Sequence, residues 1–242
     1  MIKTRKNTFK LALVMVLTAS LMLTAAAVLN FSSTTSEAAS TLTVNNGDEG
    51  TGSLREALTS AGDGDVIVFI GVTTVTLTSE IVFSAPNITI DGGSGVTITK
   101  DAGSNFRLLN SLAAEGTLTL KGLTIQNGNT SADTTVSGGG GGIRTASAVN
   151  AMNCSFINNT SGNTGGGMYA GGAVVMTDCT FDGNTSRLAG AGLYVNSGNT
   201  DLTLCTFDGN YSNTAGGGLY TNSNVVITDC IFNENTAKGG NG

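Results

Sequence analysis

Cysteine is the residue type whose spacing in this chain most invites chemistry. Cys154, Cys179, Cys205 and Cys230 follow one another at intervals of 25, 26 and 25 residues. Thiols so placed can form a disulfide framework, a metal site or a column of small buried hydrophobes. Strands stacked in parallel at about 4.8 Å hold Cβ atoms somewhat farther apart than the roughly 3.5–4.5 Å of a disulfide. Each cysteine also alternates with a phenylalanine two residues on, at Phe156, Phe181, Phe207 and Phe232. The chain has no histidine, so a metal would lack its usual imidazole ligand, and the commonest general base and every Ser-His or Cys-His pair are absent too. The expectation is a reduced core ladder, with a locally bent disulfide as the alternative and no cofactor.

Three further columns share the register. Asn159, Asn184, Asn210 and Asn235 each follow a phenylalanine by three residues, which predicts a ladder of amide hydrogen bonds at one corner of a stack. Asn184-Thr185-Ser186 and Asn210-Tyr211-Ser212 also fit the glycosylation acceptor pattern, one that a chain rich in Asn, Ser and Thr generates freely. Tyr169, Tyr194 and Tyr220 follow the apolar residues Met168, Leu193 and Leu219, with Arg144 at the same place one unit earlier. If the apolar partners point inward, alternation turns the tyrosines outward. A row of aromatic faces beside a guanidinium could stack on sugar rings or on a protein, unless a loop or neighbouring chain covers it. Asp182 and Asp208 share one offset and Asp178 and Asp229 another. Paired carboxylates could hold Ca²⁺ or act as acid and base, but a Phe-Asp-Gly-Asn context is ordinary turn chemistry.

The elements that carry these columns are short. Cys-x-Phe-x-x-Asn returns four times from Ile143 onward, and three units continue into a glycine cluster and an apolar-Tyr pair, as in Gly165-Gly166-Gly167-Met168-Tyr169. A fixed period in this range signals a solenoid, and period-two alternation with glycine breaks signals strands. The predicted fold is all-β, a right-handed parallel β-helix with a short N-terminal capping helix. The pattern extends backward: Leu118–Ile125 aligns with Val174–Phe181, with Leu123 at the cysteine position and Ile125 at the phenylalanine position. Ile143-Arg144 then comes 20 residues after Leu123 instead of 14. Six extra residues must therefore bulge within Asn127–Gly139. Ile88-Thr89-Ile90 reads as an earlier coil.

Residues 1–39 read as a leader and linker. Lys3, Arg5, Lys6 and Lys10 precede the apolar run Leu11–Leu29, with cleavage candidates after Ala27 or Ala38 and an uncleaved anchor as the alternative. Residues 40–87 form a cap and first coils, and 88–242 the repeats. Ser53 and Glu56 make a capping box ahead of Leu54, Ala57, Leu58 and Ala61 on one helical face, with Gly62 ending the turn. The sequence stops at Gly242 within a unit, which predicts a truncated product or, for an uncapped end, end-to-end self-association. Taking the leader's four basic residues and one acid from totals of 11 and 17 leaves a net charge of −9 from Ser40 onward. An acidic body without a basic stripe argues against nucleic acid and anionic lipid.

Two stretches resemble known families. Gly52-Ser53-Leu54-Arg55-Glu56-Ala57-Leu58 resembles the C-S-L-R-E-A signature at the start of many secreted β-helix proteins, with Gly52 at the cysteine position. The paired Phe-x-x-Asn and glycine-cluster units resemble the repeats of the chlamydial polymorphic outer membrane proteins. The resemblance implies a right-handed parallel β-helix at the cell surface, often an adhesin or autotransporter passenger, although the membrane barrel of that family has no counterpart in this sequence. The reading is a non-catalytic surface protein, adhesive or architectural, with carbohydrate or a cell-surface protein as partner. A lyase or hydrolase of acidic glycans is the alternative, disfavoured because the seven basic residues from Arg55 to Lys238 do not recur with the aspartate columns.

Overall fold

The computed structural model describes residues 38–135 and 139–239. Residues 1–37 of the expected leader, three residues of the expected insertion and the last three residues lie outside them.

Alternating apolar and polar residues make strands here, and residues that tolerate left-handed backbone make the corners between them. One coil runs through strand Val174–Thr177, a corner, strand Thr180–Asp182, a second corner, the two-residue strand Thr185–Ser186, the glycine cluster and strand Leu193–Val195. Successive coils pair in parallel and in register: Val149 with Val174, Phe156 with Phe181, Ser161 with Ser186 and Met168 with Leu193. The result is three sheets of 13, 6 and 5 strands walling a parallel β-solenoid of about 8 turns. The backward extension holds as well. Leu118 pairs with Val149, Ile125 with Phe156, Ile90 with Leu120, and Arg144 with Tyr169.

The interior is built from ladders. Phe156, Phe181, Phe207 and Phe232 stack with centroids 4.6, 4.8 and 4.7 Å apart and planes within 8°. Beside them the four cysteines are free, and the first three are buried. Each thiol donates to the carbonyl two residues before it, as Cys179 does to Thr177 at 3.4 Å. Hydrogen bonding with Cys154 and Cys205 on either side, together with burial, pushes the Cys179 thiol far up from its ordinary value.

The asparagine column closes the corner next to the phenylalanines. Asn184 Oδ1 accepts from the backbone N–H of Asn159 at 3.0 Å and from its Nδ2 at 3.1 Å. Asn184 Nδ2 in turn donates to Phe156 O at 2.8 Å and to Asn210 Oδ1 at 2.9 Å. Asn210 repeats the pattern with Asn235, and Asn159 carries it back to Gly128 N and Ile125 O. A buried amide has two donors and a two-lone-pair acceptor, and here each of them is used. Glycine serves this corner by close approach: a Cβ on Gly192 would stand 2.5 Å from Gly218 O and 3.1 Å from the Phe207 ring.

At the N-terminal end, helix α1 (Leu54–Ser60) buries Leu54, Ala57 and Leu58 and packs on strands Thr41–Val44 and Ile81–Phe83. Ser53 is the N-cap and accepts from Glu56 N at 3.1 Å. The Glu56 carboxylate, however, takes the N–H of Gly52 at 2.6 Å and not that of Ser53, because Ser53 N is already bonded to Gly50 O in the preceding turn. The helix also stops at Ser60, one residue short of the Ala61 expected on its apolar face, since Ala61 is extended. Arg55 ties the cap to the first coils, pairing with Asp48 at 2.8 Å and donating to Ser79 O and Glu80 O. At the other end of the described chain, Val226, Ile231 and Phe232 are exposed.

Two substitutions probe this architecture. Asn184→Ala strands several buried groups, each worth about 1–3 kcal/mol, so urea unfolding should show a loss of about 3 kcal/mol or more. Asn199→Ala, at an exposed position just before strand Thr200–Thr203, should change stability by less than about 0.5 kcal/mol. Leu204 occupies a corner at φ 56° while 55% exposed. Its left-handed backbone is unfavourable without compensating burial, and Leu204→Asn should stabilise the protein by about 1 kcal/mol in the same assay.

Candidate functional site

The outer face of the six-stranded sheet carries the residues with the most exposed chemistry in register. In strands Ile143–Thr145, Met168–Ala170 and Leu193–Val195 the flanking residues are buried and the central one is half-buried, so Arg144, Tyr169 and Tyr194 turn outward. Tyr220 continues the row in strand Leu219–Thr221. Tyr169 and Tyr194 have centroids 5.4 Å apart at 13°, and Tyr194 and Tyr220 5.2 Å apart at 2°. Arg144 Cζ lies 5.5 Å from the Tyr169 centroid. All four expected residues are therefore brought together on one surface.

Their orientation differs from the row of open faces expected from alternation alone. Near-parallel rings at these separations are offset-stacked, so each ring turns much of its face to the next along the solenoid axis. The outward surface is left with ring edges and hydroxyls, and the Arg144 guanidinium lies against the Tyr169 ring. The reason lies in the spacing of the coils: aromatic side chains repeated at the inter-strand distance find one another before they find a ligand. Burial, with Tyr169 and Tyr220 on either side, pushes the Tyr194 phenol above its ordinary value, while a hydrogen bond with Asn222 opposes the shift.

The other candidates are placed as follows. Asp182 and Asp208 are register partners on adjacent coils, and Asp208 accepts from Asn233 Nδ2 at 2.8 Å. Asp178 and Asp229 sit at left-handed corners with the equivalent corner at Leu204 between them, two coils apart and too distant to act as a pair. Among the described residues no group of three or more His, Cys, Asp or Glu is placed to hold a metal. Cys154, Cys179 and Cys205, Phe156, Phe181 and Phe207, and Asn159, Asn184 and Asn210 are buried in the interior, whereas Phe232 in the last described coil is exposed.

Sequence reasoning missed a set of polar residues one rung beyond Arg144. Asn110 pairs in register with Arg144 and continues the outward row. Nearby, the buried Arg107 is bonded to Glu80 at 2.8 Å. Coils before Leu118 lack the Cys-x-Phe-x-x-Asn signature, so nothing in the sequence aligned Asn110 with the tyrosines. The six-residue insertion was the one available signal.

The third unit of the repeat is similar to a known family model. Residues 204–222 match the Chlamydia polymorphic membrane protein repeat. This stretch holds Cys205, Phe207, Asn210, the Gly216–Gly218 cluster and Tyr220, one rung of every ladder. The match lies outside the capping segment 52–58. No curated protein and no solved structure matches the chain. The repeat points to a β-helix protein of the bacterial surface or outer membrane. Among the described residues, no helix is long and apolar enough to cross a membrane.

The stacked row makes a pH-dependent contribution whose sign follows from Tyr194. A phenol whose folded pKa is raised favours the folded state fully below its unfolded pKa of about 10, and that contribution is lost as pH rises through the folded value. Spectrophotometric titration should show the wild type retaining a late-ionising tyrosine that is missing in Tyr194→Phe.

Proposed function

We propose that this protein is a non-catalytic, exported surface β-helix that attaches its cell to carbohydrate or to protein on a neighbouring surface through the Arg144–Tyr169–Tyr194–Tyr220 row. The observation that carries this reading is the row itself, four equivalent outward positions held in line by a rigid stack. Interior positions repeat because the fold demands it, whereas an outward position of a solenoid is under no such demand. Tyrosine there offers a large contact area, a hydroxyl and little rotamer entropy to lose on binding. The match to a bacterial membrane-protein repeat and the leader-like pattern of residues 1–29 support display outside the cell. A parallel solenoid holds such a row at constant spacing over many coils, which suits multivalent attachment.

Display of the chain on an inert bacterial surface tests the idea. Bacteria bearing the wild type should be retained on epithelial or neighbouring bacterial cells. Replacing Tyr169, Tyr194 and Tyr220 together by Ala should lower retention about tenfold or more, and Tyr194→Phe, which keeps the stack, should lower it far less. Periodate or protease treatment of the target cells separates a glycan partner from a protein one. Unchanged retention of the triple variant, or release of soluble oligosaccharide from the target, would overturn the proposal.

A further inference from the structure

The cysteine column holds metal-ligating side chains that neither the core nor the adhesive reading requires. Packing does not ask for sulfur at this position: in the two coils before Cys154 it is filled by Leu123 and Val96, which are buried register partners. Yet all four thiols downstream are free. In the last pair, Cys205 is buried and Cys230 half-buried, so the pair reaches from the core toward solvent.

The coils set the geometry of this pair. Thr203 pairs with Thr228 on one side of the cysteines, and Thr206 with Ile231 on the other. Cys205 Sγ donates to Thr203 O at 3.4 Å and Cys230 Sγ to Thr228 O at 3.3 Å. The two thiols therefore point the same way, and their sulfurs are spaced as the coils are, which at the adjoining Phe207 and Phe232 rings is 4.7 Å. Two metal–thiolate bonds of about 2.3 Å laid end to end span about 4.6 Å. An ion held in a straight S–metal–S line thus fits with the coils left where they are. A disulfide fits worse, because its sulfurs stand about 2.05 Å apart and each would have to leave its place by about 1.3 Å.

The ligand set chooses the ion. Zn²⁺ takes four ligands in a tetrahedron, which a straight column does not supply, and among the described residues no group of three or more is placed for it. Thiolates are soft and select Cu(I), an ion that two of them satisfy. Its single charge leaves one negative charge on the pair. The Cys205 N–H already donates to Cys230 Sγ at 3.2 Å, a hydrogen bond that strengthens when the sulfur is ionised. Hydrogen bonding with Cys179 also brings the Cys205 thiol down to about 7, against the opposing effect of burial.

We propose that Cys205 and Cys230 form a linear two-thiolate site for Cu(I). As each sulfur–copper bond forms, the thiol gives its proton to solvent, and no electron is transferred. The site lies in the interior column and is independent of the tyrosine row on the six-stranded sheet.

The test titrates the whole chain, reduced and kept free of oxygen, with Cu(I) held by a competing bicinchoninate chelator. The wild type should withdraw the ion, gain near-ultraviolet thiolate-to-copper absorption and show two sulfur neighbours at about 2.3 Å by X-ray absorption. Cys205→Ser and Cys230→Ser should each weaken binding about hundredfold or more. Cys154→Ser, which leaves the pair intact, should change it by less than about threefold. Cu(I) should also raise the melting temperature of the wild type and protect Cys230 from alkylation, a readout that needs no substitution and so does not depend on the serine variants folding. Tyr194→Ala should bind Cu(I) as the wild type does, so that failure of the adhesive reading and failure of this one remain distinct. The proposal is overturned if Cu(I) stays on the chelator, if both serine variants of the pair bind as the wild type does, if equimolar Zn²⁺ displaces the ion, or if chain purified without reductant carries a Cys205–Cys230 disulfide.

Discussion

The hydrogen-bonded asparagine corner is the constraint on which the rest of the solenoid depends. Parallel strands by themselves pair acceptably in several registers, and a slip of one residue would turn every inward side chain out. An amide that must satisfy two donors and its acceptor inside the wall removes that freedom. Asn159, Asn184 and Asn210 each bond to the coil before and the coil after, so a shifted coil would bury unmet polar groups at every rung. The phenylalanine stack and the free cysteines then fill the space that this register defines.

Everything on the outer surface inherits that spacing. Residues one position from an inward anchor stand in straight columns, whatever their chemistry, and the tyrosines stack because their backbones are already parallel. This is a cheap way to build an extended feature, since one substitution per unit adds one rung. It also restricts the feature, because neighbouring rings cover one another's faces. The surface presented is a ridge of edges and hydroxyls, with a guanidinium one rung before the first tyrosine.

Individuality enters where the repeat fails. The helical cap, tied down by Asp48 and Arg55, closes the first coils with side chains that recur nowhere else. The insertion between Ile125 and Ile143 leaves the register of both neighbouring coils intact, as the pairing of Ile143 with Leu109 and Met168 shows. The extra residues are therefore free to build a wall without disturbing the core. Fold alone does not name the function of such a scaffold.

The period of 25 to 26 residues, the alternation within it and the glycine clusters were enough to determine a parallel β-solenoid, its interior columns and the register back to Ile88. Those features are legible because each inward position repeats the same physical demand in every coil. The sequence likewise showed that six residues were extra and that the tyrosines would line up outside. Only the tertiary structure decided that the tyrosine rings stack on one another with an offset, that Glu56 reaches Gly52, and that Asn110, Arg107, Glu80 and Asp133 line one cleft. The first depends on side-chain rotation about a fixed backbone spacing, the second on a turn that had already used the Ser53 amide. The third joins residues from coils with no shared signature, brought together by an insertion whose direction no local pattern encodes.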